Sequence, residues 1–193
     1  EDFLDCLASC ILETKDEFTE AIGISFAGLV HSETGVVIKA PNIEILSGFN
    51  LKEYLEKLFL IPVTIENDAA LMTYAEAQIG IAKGESPVLG ITFGTGIGCG
   101  LVVNGKIYNG HQGFSMELGH IFPSLERTQE LETIFGLHGM QKYILDHTGE
   151  KMAGHLHDRF PVWNEETEGI FTPLLKDFSK ILYNLTILLN PSI

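Results

Sequence analysis

Ile91-Thr92-Phe93-Gly94-Thr95-Gly96-Ile97-Gly98-Cys99-Gly100-Leu101-Val102-Val103 sets glycines at alternate positions between two runs of β-favouring residues. Glycine permits φ > 0 and lets a phosphate come close to backbone N–H groups, so Gly94, Thr95, Gly96 and Gly98 form a candidate phosphate cradle. The stretch is not a Walker A loop, because no Gly-Lys-Ser/Thr follows. It also departs from G-x-G-x-x-G, since Cys99 and Leu101 stand where the third glycine belongs. Leu101-Val102-Val103 continues as strand, which predicts a glycine-lined β-turn and not the strand-to-helix turn of a dinucleotide-binding unit. A plain hairpin without ligand fits the same residues.

Upstream, Leu4, Leu7, Ala8 and Ile11 recur at helical spacing, and Ala21 to Gly28 follows as a buried strand. Val36-Val37-Ile38 is a second short strand, ended by Pro41. Asn50 with Glu53 three residues on resembles a capping box before a helix over Leu51 to Phe59. Pro62 to Glu66 reads as strand, and Asn67-Asp68 opens a helix through Leu71, Ala75 and Ile79. The order is α, β, β, α, β, α. Gly80 to Ser86 is the expected domain boundary, dividing the chain into 1–80 and 81–193. Beyond it, Val88 to Phe93, Gly100 to Val103 and Lys106 to Tyr108 suggest hairpins. Leu131 to Leu145 and Leu174 to Leu189 then read as helices, the second with an apolar stripe expected to face the core.

The 193 residues carry 12 Lys and Arg against 26 Asp and Glu, a formal charge of −14. Neutralising phosphates needs a surplus of cations, so a nucleic-acid partner is not expected. Hydrophobic residues make up 45%, too many for a disordered chain. The longest apolar run, Ile181 to Leu189, is interrupted by Asn184 and Thr186 and falls short of the roughly 20 residues that span a bilayer. Cys6, Cys10 and Cys99 are odd in number without C-x-x-C spacing, which suggests neither a disulfide framework nor a thiolate zinc site. With no basic n-region at Glu1-Asp2, a cytoplasmic location is the simplest expectation. The chain opens inside an apparent helix and stops at Asn190-Pro191-Ser192-Ile193, where a strand is about to start, so it reads as part of something longer.

Two further segments could carry chemistry. Asn67-Asp68 lies where a strand hands over to a helix, the edge at which α/β sheets present functional side chains, and the helix N-terminus favours an ionised carboxylate. Either residue could also simply cap the helix. Glu117-Leu118-Gly119-His120 sets an acid and an imidazole three apart, so that both can face one pocket with Gly119 giving clearance. His155-Leu156-His157-Asp158 has alternate histidines but no further ligands at metal spacing, and reads as a polar loop.

In combination, Asn67-Asp68-Ala69-Ala70, the Gly94 to Gly98 turn, Asn104-Gly105 and Glu117-Leu118-Gly119-His120 resemble the ROK family of bacterial sugar kinases and related repressors. Ile24 to Val30 and Ala40-Pro41-Asn42-Ile43 match two further family segments, and the likeness runs from about Ile22 to Pro191. The resemblance implies an α/β, actin-like (ribonuclease-H-like) two-lobed fold with sugar and ATP, with Mg²⁺, in the cleft. It implies Asp68 as the base that takes the sugar hydroxyl proton. Asn67, Glu117 and His120 would hold sugar hydroxyls, and the Gly94 to Gly98 turn would line the ATP phosphates. Phosphoryl transfer through a loose transition state asks for positioning more than for a strong base, so an Asp at a helix start suffices.

The family pattern also carries three zinc-binding cysteines and a sugar-contacting Glu after Glu-x-Gly-His. Here Thr133, Phe135 and Met140 stand at the cysteine positions, so zinc is not expected and no metal site is assigned. Lys142 falls where the Glu belongs. Its ammonium is expected either in the sugar pocket, favouring an anionic or differently substituted sugar, or in solvent. The family's N-terminal Asp-x-Gly-x-Thr phosphate segment and its C-terminal Gly-Gly adenosine segment lie outside these residues. The expected parent is therefore a hexose or N-acetylhexosamine kinase, inactive as this fragment alone. A ROK repressor or sugar sensor, or a sugar-binding homologue without turnover, is the alternative. A small-molecule sugar is the expected partner, and a homodimer stays open.

Overall fold

The computed structural model describes residues 3–113, 115–124, 126, 128–152 and 164–193. The chain divides into two compact units, Glu1–Leu71 with Asn109–Ser115 and Met72–Tyr108 with Met116–Ile193. The sequence suggested a break after Gly80. In the structure the helix Asp68–Ile79 runs unbroken through Leu71 and Met72, and the segment from Asn109 to Ser115 returns to the first unit.

In the first unit, helix α1 (Phe3–Thr14) precedes strand β1 (Ile22–Phe26), then the antiparallel pair β2 (Leu29–His31) and β3 (Val36–Lys39). β2 has no counterpart in the sequence reading, because three residues are too few to show a period. Helix α2 (Leu51–Phe59) starts where expected, with Asn50 Oδ1 accepting the Glu53 N–H at 3.0 Å. Strand β4 (Val63–Asn67) lies parallel to β1, with Phe26 opposite Asn67, and helix α3 (Asp68–Ile79) follows directly. Val37, Leu46, Leu51, Leu55, Val63 and Ile65 are buried together as its core. Both partners of the parallel pair thus end at the junction of β4 and α3.

In the second unit, strands β5 (Val88–Phe93), β6 (Ile97–Val103) and β7 (Lys106–Ile107) form an antiparallel sheet in that order. The hairpin at Gly94-Thr95-Gly96 is the one the glycine pattern predicts. The helix expected over Leu131 to Leu145 is two, α4 (Leu131–Phe135) and α5 (Leu137–Thr148), separated at Gly136. A Cβ at Gly136 would meet the Glu132 and Thr95 carbonyls. The last helix, α6 (Glu165–Leu189), starts well before Leu174, behind a capping box of Asn164 and Thr167, and contains Pro173. Leu174, Phe178 and Ile181 of its apolar stripe are in the core, but Leu175, Leu182 and Leu188 are exposed. No helix among the described residues is long and apolar enough to cross a membrane. The His155 to Asp158 segment lies outside the described residues.

Candidate functional site

At the end of β4 the polar groups are tied down one by one. Asn67 Oδ1 accepts the Ala70 N–H at 3.0 Å, the bond of a helix N-cap, and its Nδ2 donates to the Gly28 carbonyl at 3.2 Å. An amide nitrogen has two hydrogens, so one remains for a ligand. Asp68 is exposed in the first turn of α3, with Oδ1 accepting the Ala69 N–H at 2.9 Å. Its second oxygen can face a ligand while the first is held.

Directly before them, Glu66 is only 8% exposed. One of its oxygens accepts the Asn67 N–H at 3.0 Å, and the other accepts from Asn109 Nδ2 at 2.8 Å. Asn109 Nδ2 also donates to Ser32 Oγ at 2.7 Å. A buried carboxylate persists only when such donors satisfy it. Glu66, Asn109 and Ser32 therefore form a clasp at the base of the Asn67-Asp68 junction. Nothing in the sequence marks it, since the partners lie 43 and 77 residues apart.

In the second unit the glycine turn, the Glu117 to His120 segment and the start of α4 meet at Glu132. Glu132 Oε2 accepts the Ile97 N–H at 3.0 Å. A Cβ on Gly96 would collide with that carboxylate, and one on Gly119 would stand 2.7 Å from the Ile97 carbonyl oxygen and 3.1 Å from Glu132 Oε2. The glycines at 94, 96, 98 and 100 are not among those with positive φ. Clearance, not φ freedom, is what Gly96 and Gly119 supply. Leu137 N–H, at the start of α5, donates to the Gly94 and Thr95 carbonyls at 3.2 and 3.1 Å. Gly94 and Thr95 are exposed at the tip, whereas Gly98 lies in β6 opposite Thr92.

Glu117 precedes the short 3-10 turn Leu118–His120, and the His120 N–H closes that turn on the Glu117 carbonyl at 3.1 Å. His120 Nε2 and Glu117 Oε2 are 3.9 Å apart, beyond hydrogen-bond reach, while His120 Nδ1 lies 2.8 Å from Glu130 Oε2. Burial, then the nearby Glu117 carboxylate, pushes the Cys99 thiol up to about 12, so this cysteine is a packing residue, not a nucleophile.

Lys142, which the sequence left either in the sugar pocket or in solvent, pairs with Asp146 one turn on along α5, at 2.6 Å, with its side chain 75% exposed. The residue that does reach the glycine turn is Glu132, which the sequence reading missed because no period or cap singles it out. Where the family cysteines would be, Thr133 is exposed, Phe135 is buried in the core and Met140 packs against it. Among the described residues no group of three His, Cys, Asp or Glu side chains could hold a metal ion.

A glucokinase of Streptomyces coelicolor is 37% identical over 122 residues, 63% of this chain and 38% of its own length. A xylose repressor of Bacillus spizizenii is 36% identical over 100 residues, 52% of this chain and 26% of its own. The chain thus spans only part of the length of these relatives. Among solved structures, a ROK family glucokinase from Streptomyces griseus in complex with glucose and AMPPNP matches with a TM-score of 0.79 at 26% identity, over 98% of this chain and 69% of that one. The α/β, actin-like architecture implied by the sequence motifs is the fold shared with such structures. The ROK family model matches residues 1–192, and the chain belongs to the ROK family.

Proposed function

We propose that the full-length protein transfers a phosphoryl group from ATP, taken as its Mg²⁺ complex, to a hydroxyl of a hexose or N-acetylhexosamine. The observation that carries this reading is the exposed Asp68 carboxylate at the β4–α3 junction, with one oxygen held by the Ala69 N–H. An Asp so held can accept the hydroxyl proton as the bond to phosphorus forms, and it needs no unusual basicity for a loose transition state. Asn67, with one amide hydrogen to spare, and Glu117 and His120 supply hydrogen-bonding groups for sugar hydroxyls. Glu132 is proposed in place of Lys142 as the carboxylate that organises the second unit's part of the site. The turn from Gly94 to Gly98 is proposed to face the nucleotide phosphates. The glucokinase relatives support this class of substrate.

The test is turnover of the full-length protein with MgATP and a panel of neutral hexoses and N-acetylhexosamines, with Asp68→Asn alongside. The substitution keeps shape and removes the proton acceptor, so kcat should fall roughly 10²- to 10⁴-fold with a modest change in sugar affinity. Near wild-type turnover by Asp68→Asn would remove Asp68 from the chemistry. The repressor relative favours a second reading, a sugar sensor. A sensor that binds sugar without turnover has no use for a base at residue 68.

A further inference from the structure

We propose that Glu130 is the positioning residue of His120. It keeps the ring proton on Nδ1, so that Nε2 is offered to the substrate as a hydrogen-bond acceptor beside the acceptor Glu117. The proposal rests on the reading of Glu117 and His120 as sugar ligands, and goes beyond it by giving the direction of the hydrogen bonds.

The contact is anchored by more than two surface side chains. Glu130 stands in extended backbone just before α4, and the next residue, Leu131, is fully buried in the core of the second unit. The Leu131 N–H donates to the carbonyl of Ile121 at 2.8 Å, and Ile121 follows His120 directly. A main-chain bond and a buried leucine therefore hold the two residues opposite each other, and the side chains close the pair at 2.8 Å. Without that tie, a half-exposed pair of this kind would do little to hold a ring.

The chemistry follows from what each atom can do. A carboxylate only accepts, so the nitrogen facing Glu130 must carry the hydrogen. In a neutral imidazole the other nitrogen then presents a lone pair. Carboxylate partners of this kind are how proteins fix the tautomer and rotation of a functional histidine. Nε2 and Glu117 Oε2, 3.9 Å apart, do not bond to each other and stand as two neighbouring acceptors. The complementary ligand is a pair of adjacent hydroxyls that each donate. A hydroxyl replaced by fluorine, which cannot donate, does not fit, and an anionic group does not fit either.

Among the described residues, the carboxylates of Glu117 and Glu130 lie beside the ring. The tautomer is read at about pH 8.5, above the ordinary imidazole range. Long-range ¹H–¹⁵N correlation spectra of the ¹⁵N-histidine-labelled full-length protein, assigned with His120→Gln, report the ring state directly. The Nδ1–H form is expected for wild type and for Glu130→Gln, whose carbonyl still accepts. Glu130→Leu should shift the ring toward the Nε2–H form. In the same Glu130→Leu protein, KM for the hexose should rise ~10-fold, with a smaller change in kcat and none in KM for ATP, whereas Glu130→Gln should stay close to wild type. Wild type should discriminate against sugars fluorinated at the contacting hydroxyls, and Glu130→Leu should discriminate less, because its ring can donate.

A wild-type Nε2–H ring or imidazolium at that pH would overturn the proposal, as would an unchanged tautomer and hexose KM in Glu130→Leu. If wild type phosphorylates no sugar of the panel, the kinase reading fails, and the spectra alone then decide the role of Glu130.

Discussion

Asn109→Asp exchanges one NH₂ for an oxygen and should be among the most damaging isosteric changes in the first unit. Asn109 Nδ2 now donates to Glu66 Oε2 at 2.8 Å and to Ser32 Oγ at 2.7 Å, beside a carboxylate that is only 8% exposed. The variant sets a second carboxylate against the first. Two unit charges whose centres are ~4 Å apart repel by about 4 kcal/mol at an effective dielectric constant of ~20. Losing the charge-assisted hydrogen bond costs a further ~1.5–3 kcal/mol, and side-chain rotation returns part of the total. A net loss of about 3–5 kcal/mol is expected. Glu66→Gln alone should cost only ~1 kcal/mol, since the Asn109 amide can flip to accept from the new NH₂ while Ser32 turns its hydroxyl to donate. Combining Glu66→Gln with Asn109→Asp rebuilds the clasp with donor and acceptor exchanged, so most of the loss should return. The assay is urea denaturation of the full-length protein for wild type, both single variants and the double variant, read as a double-mutant cycle at constant m. A coupling of about 3–4 kcal/mol is expected, at or just above the upper end of the usual range for contacting residues. A loss within ~0.5 kcal/mol for Asn109→Asp, or strict additivity in the double variant, would refute the buried clasp. Because Glu66 also holds the Asn67 N–H, turnover measured well below each melting temperature should follow the same order.

Three further predictions rest on single side chains. At pH 8 an alkylating reagent should modify exposed Cys10 and leave buried Cys99 untouched until the protein unfolds, as peptide mass spectrometry would show. The Cys99 thiol is raised from 9.0 to about 12, so its contribution to stability is complete below pH 9 and is lost as pH climbs from there toward 12. An alkaline melting series of Cys99→Ala against wild type reads that window, and the difference between the two should shrink across it. Lys142→Glu should leave the ranking of sugar substrates unchanged and alter stability by only ~0–1 kcal/mol, because the pair with Asp146 is exposed. A reordered substrate panel would return Lys142 to the site.

Sequence alone determined those features whose causes lie within a few residues. The hairpin at Gly94 to Gly96 is legible because β-favouring runs flank glycines. The α2 start is legible from Asn50 with Glu53, and the β4–α3 junction from Asn67-Asp68 behind an apolar strand. In each case the decisive hydrogen bond spans three residues or the period spans two. The Asn67-Asp68 and Glu117-x-Gly-His120 elements were legible for the same reason, as short motifs with fixed internal spacing. Tertiary structure alone decided which polar groups meet. Glu132 reaches the Ile97 N–H across 35 residues, Glu66 meets Asn109 across 43, and Glu130 meets His120 beside the main-chain bond from buried Leu131 to Ile121. Lys142 and Glu132 show the same division. Spacing carried over from a family pattern left Lys142 either in the sugar pocket or in solvent, and the helix that starts after Gly136 sets its exposed ammonium against Asp146. The stripe on α6 is similar, since its period marks an apolar face but not how much of that face the core covers. Local periodicity and capping act through bonds between near neighbours and so leave a pattern in the residue order. The partners of a buried carboxylate or of an imidazole are brought together by chain closure over tens of residues, and closure leaves no such pattern.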